Sequence, residues 1–518
     1  MATSKIFYSL ARILLTFGAA FGNVLGHETN NATNPGPTAS SLISLAIDAL
    51  GGRDALSNLR GVIYESDDLV RARSLSQNYN LFETDRHMYS SGSQNVSFHF
   101  GEENFSQRLD RSFVSSDYFL FVRREIASRN MSMVVQGGAD GFVCLIKGNN
   151  MALFPPEQTY GYMDLHDNRL NLTIALDPES FLPFIVRSFE DHPIRGLTFK
   201  DLQLYDYTEV EGIKFPRQQK MLYDDSTIEE TVVSRIRVNP AFDAEFFQGL
   251  DPNATTTVPS PPEQAPDYGH ALLGEFWSNT IWTGPYQGTF DGINASTPAA
   301  DLPGAHHLAF AGSTISQLVL EFEESVLVFE APHHQSDLVI QWVETHIGKP
   351  ITHLWPSHHH HDHNLDVAKF VEIGASVIVP EMAASFWAQI PGIDLITFTE
   401  DKPYIHSDSK LQARFLWRPE NPHSADWTYA MVTSTCPSSN SSMLAYTADI
   451  VSTGFEFTTY LAENWLLQAM DDGLSKNTIV IPAHGVPYPL SDVYEPLGSP
   501  YPDFTAMSFV TGGEICLQ

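Results

Sequence analysis

"ITHLWPSHHHHDHNLDVAKFVEIGASVIVPE", residues 351–381, decides how this chain is read. An apolar run, "ITHLWPS", reads as a strand; "LDVAKFVEIGA" reads as a helix and "SVIVPE" as a second strand. Five histidines in six positions therefore fall on a strand-to-helix connection. A purification tag would lie at a terminus, and a solvated tract would not sit at the tip of a buried strand. Imidazole nitrogens are leading ligands for zinc and iron, and a strand-end loop lets several converge on one point. The spacing is more specific than the count. His358, His360, Asp362 and His363 spell H-x-H-x-D-H. Alternate residues of extended backbone share a side, so His358 and His360 reach a first metal. The chain then turns into the helix and offers Asp362 and His363 to a second.

The flanking sequence has the same rhythm. "SQLVLEFEESVLVFEAP" predicts two strands and "SDLVIQWVETHIG" an amphipathic helix. "SMLAYTADI" and "NTIVIPAHG" predict strands that end in polar residues. Strands alternating with helices, with chemistry at the strand ends, predict a layered α/β architecture.

The motif and its surroundings resemble the metallo-β-lactamase superfamily over roughly residues 268–518. "SVLVFEAP" is similar to the family's strand before the first active-site loop, and "HNLDVAKFVEIGASVIVPE" to the helix and strand that follow. The resemblance implies an αββα sandwich and three further ligands. "NPHSADW" supplies His423, with Pro422 where glycine is usual. "LAYTADI" supplies Asp449, and "VIPAHGVP" supplies His484, each preceded by alanine in place of glycine. It implies that His358, His360 and His423 hold one metal and Asp362, His363 and His484 the other, with Asp449 between them. The implied cofactor is a pair of zinc ions, with iron or manganese as alternatives. A water activated by the two metals would attack an ester, lactone, thioester or amide carbonyl, and Asp362 would be the catalytic residue that orients the water and carries its proton. No Gly-x-Ser-x-Gly elbow is present, and this chemistry needs none. An iron-dependent oxygenase of the persulfide-dioxygenase type resembles the same fold and is the alternative reaction. A non-catalytic glycoprotein whose metals only support the fold is the alternative of another class. Where the family often has aspartate, this chain has Glu330, followed by His333 and His334; these read as an ordinary polar loop, with a place behind the ligands as the alternative. Trp355, Trp387, Trp417 and Trp427 suggest an apolar substrate and core packing equally.

The chain has 518 residues, which predicts two or three domains. Its 29 basic and 62 acidic residues give a net charge of −33, which repels nucleic-acid backbones and anionic headgroups. The expected partner is a small-molecule substrate, with no nucleic acid and no membrane. Residues 1–26 read as a signal peptide: Lys5 and Arg12 precede apolar "ILLTFGAAFG", and small residues surround Gly26. The apolar core is too short to span a bilayer comfortably. N-x-S/T occurs at Asn31, Asn95, Asn104, Asn130, Asn171, Asn253, Asn294 and Asn440, which predicts a secreted, extracellular glycoprotein with these residues on surface loops. Three cysteines, Cys144, Cys436 and Cys516, permit one bridge, expected at Cys436–Cys516.

Residues 27–250 read as a mostly antiparallel, β-rich domain with short helices, and "DPNATTTVPSPPEQAPD" (251–267) as a linker before the catalytic domain. Leu42, Leu45, Ala46, Ala49 and Leu50 predict one helical face, Gly51 its stop, and Asp54 the cap of a second helix. The helix–GG–helix opening, the strands and the "VNP…FF" ending resemble lipoprotein-carrier-like domains. "YMDLHDN" (162–168), with Asp164, His166 and Asp167, reads as a solvated loop.

Overall fold

The computed structural model describes residues 39–72, interrupted stretches between 89 and 247, and 288–509 apart from 314 and 452–457. The expected signal peptide, the expected linker 251–267, "YMDLHDN" and Cys516 lie outside the described residues. The chain divides into two compact units, with the main boundary between residues 275 and 276.

The first unit is a largely antiparallel sheet preceded by two short helices. Its strand Gly61–Ala72 pairs with Tyr89–Phe100 on one side and with Ser226–Val232 and Arg235–Val238 on the other. The helix Ala39–Ala49 is rotated from the expected face. Ala46, Ile47 and Leu50 are buried and Leu45 is exposed, because the sheet residues Val62, Phe98 and Phe215 share their cluster with Ile47. Gly51 does end the helix. Its φ is 126°, and a Cβ there would lie 2.0 Å from the Gly212 carbonyl oxygen, so only glycine fits. Asp54 is not the cap. Gly52 holds that position without a side-chain bond, and Asp54 sits in the first turn of Arg53–Asn58, where its charge suits the helix dipole. Two expected loop sequons also lie elsewhere. Asn95 stands within the strand Tyr89–Phe100 and Asn294 within Ile293–Ser296; both are exposed, because each faces away from its core. Asn440 is exposed in a turn, and Cys436 is exposed as well.

The second unit is built on two mixed sheets. The first runs β1 (Ile293–Ser296), β2 (Ala305–Phe310), β3 (Gln317–Glu321), β4 (Val326–Phe329), β5 (Ile351–Trp355), β6 (Ser376–Pro380) and β7 (Leu395–Phe398) in chain order. It is antiparallel as far as β4 and parallel from β4 to β7. Helix α1 (Ser336–His346) makes the β4–β5 crossover. The short α2 (His361–Asn364) and α3 (Val367–Glu372) make the next. The second sheet runs β8 (Tyr404–Ser407), β9 (Leu411–Trp417), β10 (Thr428–Ser434), β11 (Met443–Ala448), β12 (Thr478–Pro482) and β13 (Tyr488–Pro489), with β11 and β12 parallel across helix α4 (Thr458–Asp471).

Alternation along the strands builds three cores. One side of the first sheet, with Leu320, Leu327 and Phe329, meets Phe415, Val432 and Leu444 of the second. The opposite side of the first sheet, with Val328, Leu354 and Val377, packs on Val339, Val343 and Phe370 of its helices. The opposite side of the second, with Met431, Met443 and Val480, packs on Leu461, Trp465 and Leu466 of α4. Trp355, Trp387 and Trp427 are wholly buried in these clusters, so core packing accounts for them and they line no substrate surface. Among the described residues no helix is long and apolar enough to cross a membrane.

Candidate metal centre

Parallel strands bring their C-terminal ends to one edge, and the polar residues that follow those ends meet there. Glu330 follows β4, His358 and His360 follow β5, Asp449 follows β11 and His484 follows β12. His423 comes from the connection between β9 and β10. Two of these strand ends turn through unusual backbone: Glu330 has φ 65° and Ala448 has φ 51°. Glycine adopts such angles without steric conflict, so alanine at 448 keeps the geometry at the cost of strain.

The seven residues singled out in the sequence form two groups that share one member. His358, His360, His423 and Asp449 place one ligand atom each within 4.8 Å of one another, as do Asp362, His363, Asp449 and His484. His358 Nε2 and His423 Nε2 are 3.1 Å apart. Asp449 Oδ2 lies 3.2 Å from His423 Nε2 and 3.6 Å from His358 Nε2. Its other oxygen, Oδ1, lies 2.8 Å from His363 Nε2 and 3.2 Å from His484 Nε2. Asp362 Oδ2 is 3.3 Å from both His363 Nε2 and His484 Nε2. One carboxylate thus presents one oxygen to each group.

These spacings suit metal ions. Ligand atoms about 2.0–2.1 Å from a tetrahedral zinc lie about 3.3–3.4 Å from one another. His360 is 1% exposed, and neither of its ring nitrogens has a hydrogen-bond partner. A buried imidazole with both nitrogens unsatisfied is costly unless something else binds one of them. The donor set of five imidazoles and two carboxylates fits zinc, and also iron or manganese.

The electrostatics differ between the groups. Burial, with neighbouring imidazoles adding to it, holds His358 and His360 well below the ordinary histidine value, so both are neutral. Burial acts the same way on His363, but Asp362, Asp449 and Glu330 outweigh it and hold this ring well above the ordinary value. His484 is raised to about 9; burial opposes the rise, and Asp449 and Asp362 drive it. Asp362 and Asp449 are both lowered despite their burial, chiefly by His363. The second group is also the open side: His484 and Asp449 are partly exposed, whereas His358 and His360 are closed off.

A supporting layer aims the ligands. Ser357 Oγ is 2.8 Å from His358 Nδ1, which leaves Nε2 pointing at the centre. Asn364, fully buried, donates from Nδ2 to the His358 carbonyl at 3.0 Å. Glu330 is not in an ordinary polar loop. It is wholly buried, its Oε2 accepts from the Ser357 amide at 3.0 Å, and its Oε1 is 3.3 Å from His363 Nδ1. Position after a strand facing the histidine loop is what drew it there, and the family's aspartate was the signal that pointed to it. His333 is 3.2 Å from Asp366 and also stands outside the ligand groups. Asn364 and Ser357 carried no sequence signal, because a single amide or hydroxyl is common in any loop.

No protein-family model and no curated protein matches the chain. Among solved structures it is similar to a metallo-β-lactamase from Pontibacter korlensis, at 14% identity and a TM-score of 0.30, over 40% of this chain and 97% of that one. It is similar to one from Hirschia baltica at 14% identity and a TM-score of 0.29, over 39% and 94%. A B3 metallo-β-lactamase with an active-site glutamic acid matches at 12% identity and a TM-score of 0.28, over 36% and 80%. No family model or curated protein supports the likeness of the first half to lipoprotein-carrier-like domains.

Proposed function

We propose that the second unit is a metal-dependent hydrolase of the metallo-β-lactamase type, with an αββα layering and a dinuclear site. The observation that carries this reading is Asp449, which offers Oδ2 to one histidine group and Oδ1 to the other. His358, His360 and His423 would hold one metal, and Asp362, His363 and His484 the other. Two divalent ions there, zinc by preference, would supply Lewis acidity toward a carbonyl oxygen and a water of lowered pKa. The protein's own part is positioning and proton handling. Asp449 fixes the spacing of the groups. Asp362 would hold the second ion through one oxygen, and its carboxylate, ionised at neutral pH beside the open side of the centre, can accept a proton from a water there. Buried His358 and His360 exclude solvent from behind. The substrate class is an ester, lactone, thioester or amide of a small molecule.

Metal analysis of the purified protein, with lactone, thioester and β-lactam substrates followed by product mass, tests this. Two metals per chain are expected, with turnover lost on chelation and regained with zinc. In Asp449→Ala, metal content should fall toward one per chain. Folded protein that turns over with no metal would refute the reading; bound iron with oxygen uptake would replace it by an oxygenase.

We also infer export as a glycoprotein, supported by the signal-like segment and by exposed Asn95, Asn294 and Asn440. A mature N-terminus near His27 and a mass that drops on deglycosylation are expected.

A further inference from the structure

The two ligand groups leave His359 without a part, although it stands between His358 and His360. Alternation turns it to the other side of the extended loop, where it is 2% exposed. Its Nδ1 lies 2.8 Å from Asp426 Oδ1. Asp426 is fully buried and lies three residues after His423, in the same connection between β9 and β10. Ser424 Oγ donates to the same carboxylate oxygen and is 3.3 Å from His359 Nδ1.

The connection needs such a tether. His423 must reach His358 and His360 from the other sheet, and Pro422 precedes it where a flexible glycine would let the chain adjust. Asn421 Oδ1 accepts from the His423 amide at 2.9 Å and shapes the turn locally. Thr428 donates from its amide and its hydroxyl to the Ser357 carbonyl, at 2.9 and 2.8 Å, and ties the end of the connection to the start of the histidine loop. Between those ties, the histidine–carboxylate pair joins the two loops beside the Ser424–His359 contact and the approach of His423 to His358. Burying such a pair is a poor way to add stability, and fixing one register is its best-attested use.

We propose that His359 and Asp426 form a clasp that positions His423 against His358 and His360, and so sets the affinity of the first metal group without acting on the second. The clasp rests on the metal-centre reading. His359 and Asp426 are positioning residues: neither belongs to the two ligand groups, and the His359 ring meets that of His360 edge to face with 5.0 Å between centroids.

The test uses the full chain stripped of metal and titrated with cobalt(II), whose visible absorption reports each site as it fills. Wild type should fill two sites. In His359→Leu, affinity at the first group should fall about 10–100-fold, the usual effect of losing a partner behind the ligands, while the second group keeps its own. In His359→Asn, whose amide nitrogen stands where Nδ1 does, most of the loss should be restored. A merely structural role would lower the melting temperature and weaken both groups alike, without rescue by asparagine. If His359→Leu does not fold, Asp426→Asn, which keeps an oxygen acceptor but loses the charge, is read the same way. Wild type that takes up no cobalt sinks the metal-centre reading and the clasp with it. Wild type that fills two sites, beside a His359→Leu variant with unchanged or equally weakened sites, sinks the clasp alone.

Discussion

Metal should leave the two groups at different pH, and the protons explain why. In the metal-free protein His484 titrates at about 9 and His363 well above the ordinary histidine value, so both rings carry a proton at neutral pH. A metal entering the second group must expel both protons. His358 and His360 are held well below the ordinary value and have no proton to expel. Asp362 and Asp449 are ionised throughout, being lowered. The sign follows: raised ligand values weaken metal binding as pH falls below them. Between pH 8 and pH 6, each proton displaced costs about a hundredfold in apparent affinity, so the second group should lose about 10⁴-fold while His358 and His360 add nothing to the first. Dialysis at the two pH values followed by metal analysis should give two metals per chain at pH 8 and about one at pH 6. Calorimetry in buffers of different ionisation enthalpy should count about two protons released as the second site fills. Loss of both metals in parallel, or no proton release, would refute the assignment of charge between the groups.

Three substitutions probe the rest of the site. Asp362→Asn keeps the shape of a ligand but accepts no proton, so turnover should fall about 10²–10⁴-fold while some metal stays, as measured by kcat alongside metal content. Glu330→Gln removes the charge behind His363 Nδ1 and should weaken the second metal about 10–100-fold, read by competition with a chelator. Ala448→Gly should change stability little: relief of about 1–2 kcal/mol of left-handed strain opposes about 0.8 kcal/mol for the buried methyl and about 0.5–1 kcal/mol for glycine's greater freedom when unfolded. Denaturation showing a loss of about 1.3–1.8 kcal/mol, the two costs unopposed, would mean that the backbone there is not strained.

The ligand residues were legible because their spacing is local. H-x-H-x-D-H occupies six consecutive positions, and the strands on either side follow from short apolar runs. His423, Asp449 and His484 lie far from that run and were implied by the family resemblance, although Asp449 and His484 also follow apolar strands. What lay beyond reach depends on contacts between distant segments. His359 looks like one more histidine of a run until Asp426, 67 residues away, is seen beside it. Glu330 looks like a loop residue until the Ser357 amide and His363 close over it. The same limit shows in the first unit. The periodicity of residues 42–50 defined a helix, but which side faces the sheet was decided by Val62, Phe98 and Phe215, so Ile47 went in and Leu45 came out. The order of strands within the sheets follows from pairing, which no local pattern encodes.

Strain and burial at this edge have one cause. The ligands come from both sheets, and neither β4 nor β11 runs out through ordinary extended backbone. Left-handed turns at Glu330 and at Ala448 re-aim the chain instead. Each is held by bonds from neighbouring strands. Gln317 donates from Nε2 to the Glu330 carbonyl at 2.7 Å, and the Glu330 amide donates to the Trp355 carbonyl at 2.9 Å. The Ala483 amide donates to the Ala448 carbonyl at 2.9 Å, and the Ser316 amide to the Ala483 carbonyl at 2.8 Å. Gln317 opens β3 and Ser316 immediately precedes it, so the start of one strand fixes both turns. The fully buried Gln317 and Ser316, polar residues in an otherwise apolar layer, are therefore the support of the centre and not an exception to the core. A rigid, twice-anchored edge of this kind is what two ligand groups sharing a single carboxylate require: a shift of the Ala448 turn would move Asp449 away from one group as it approached the other, and a shift of the Glu330 turn would withdraw its carboxylate from Ser357 and His363.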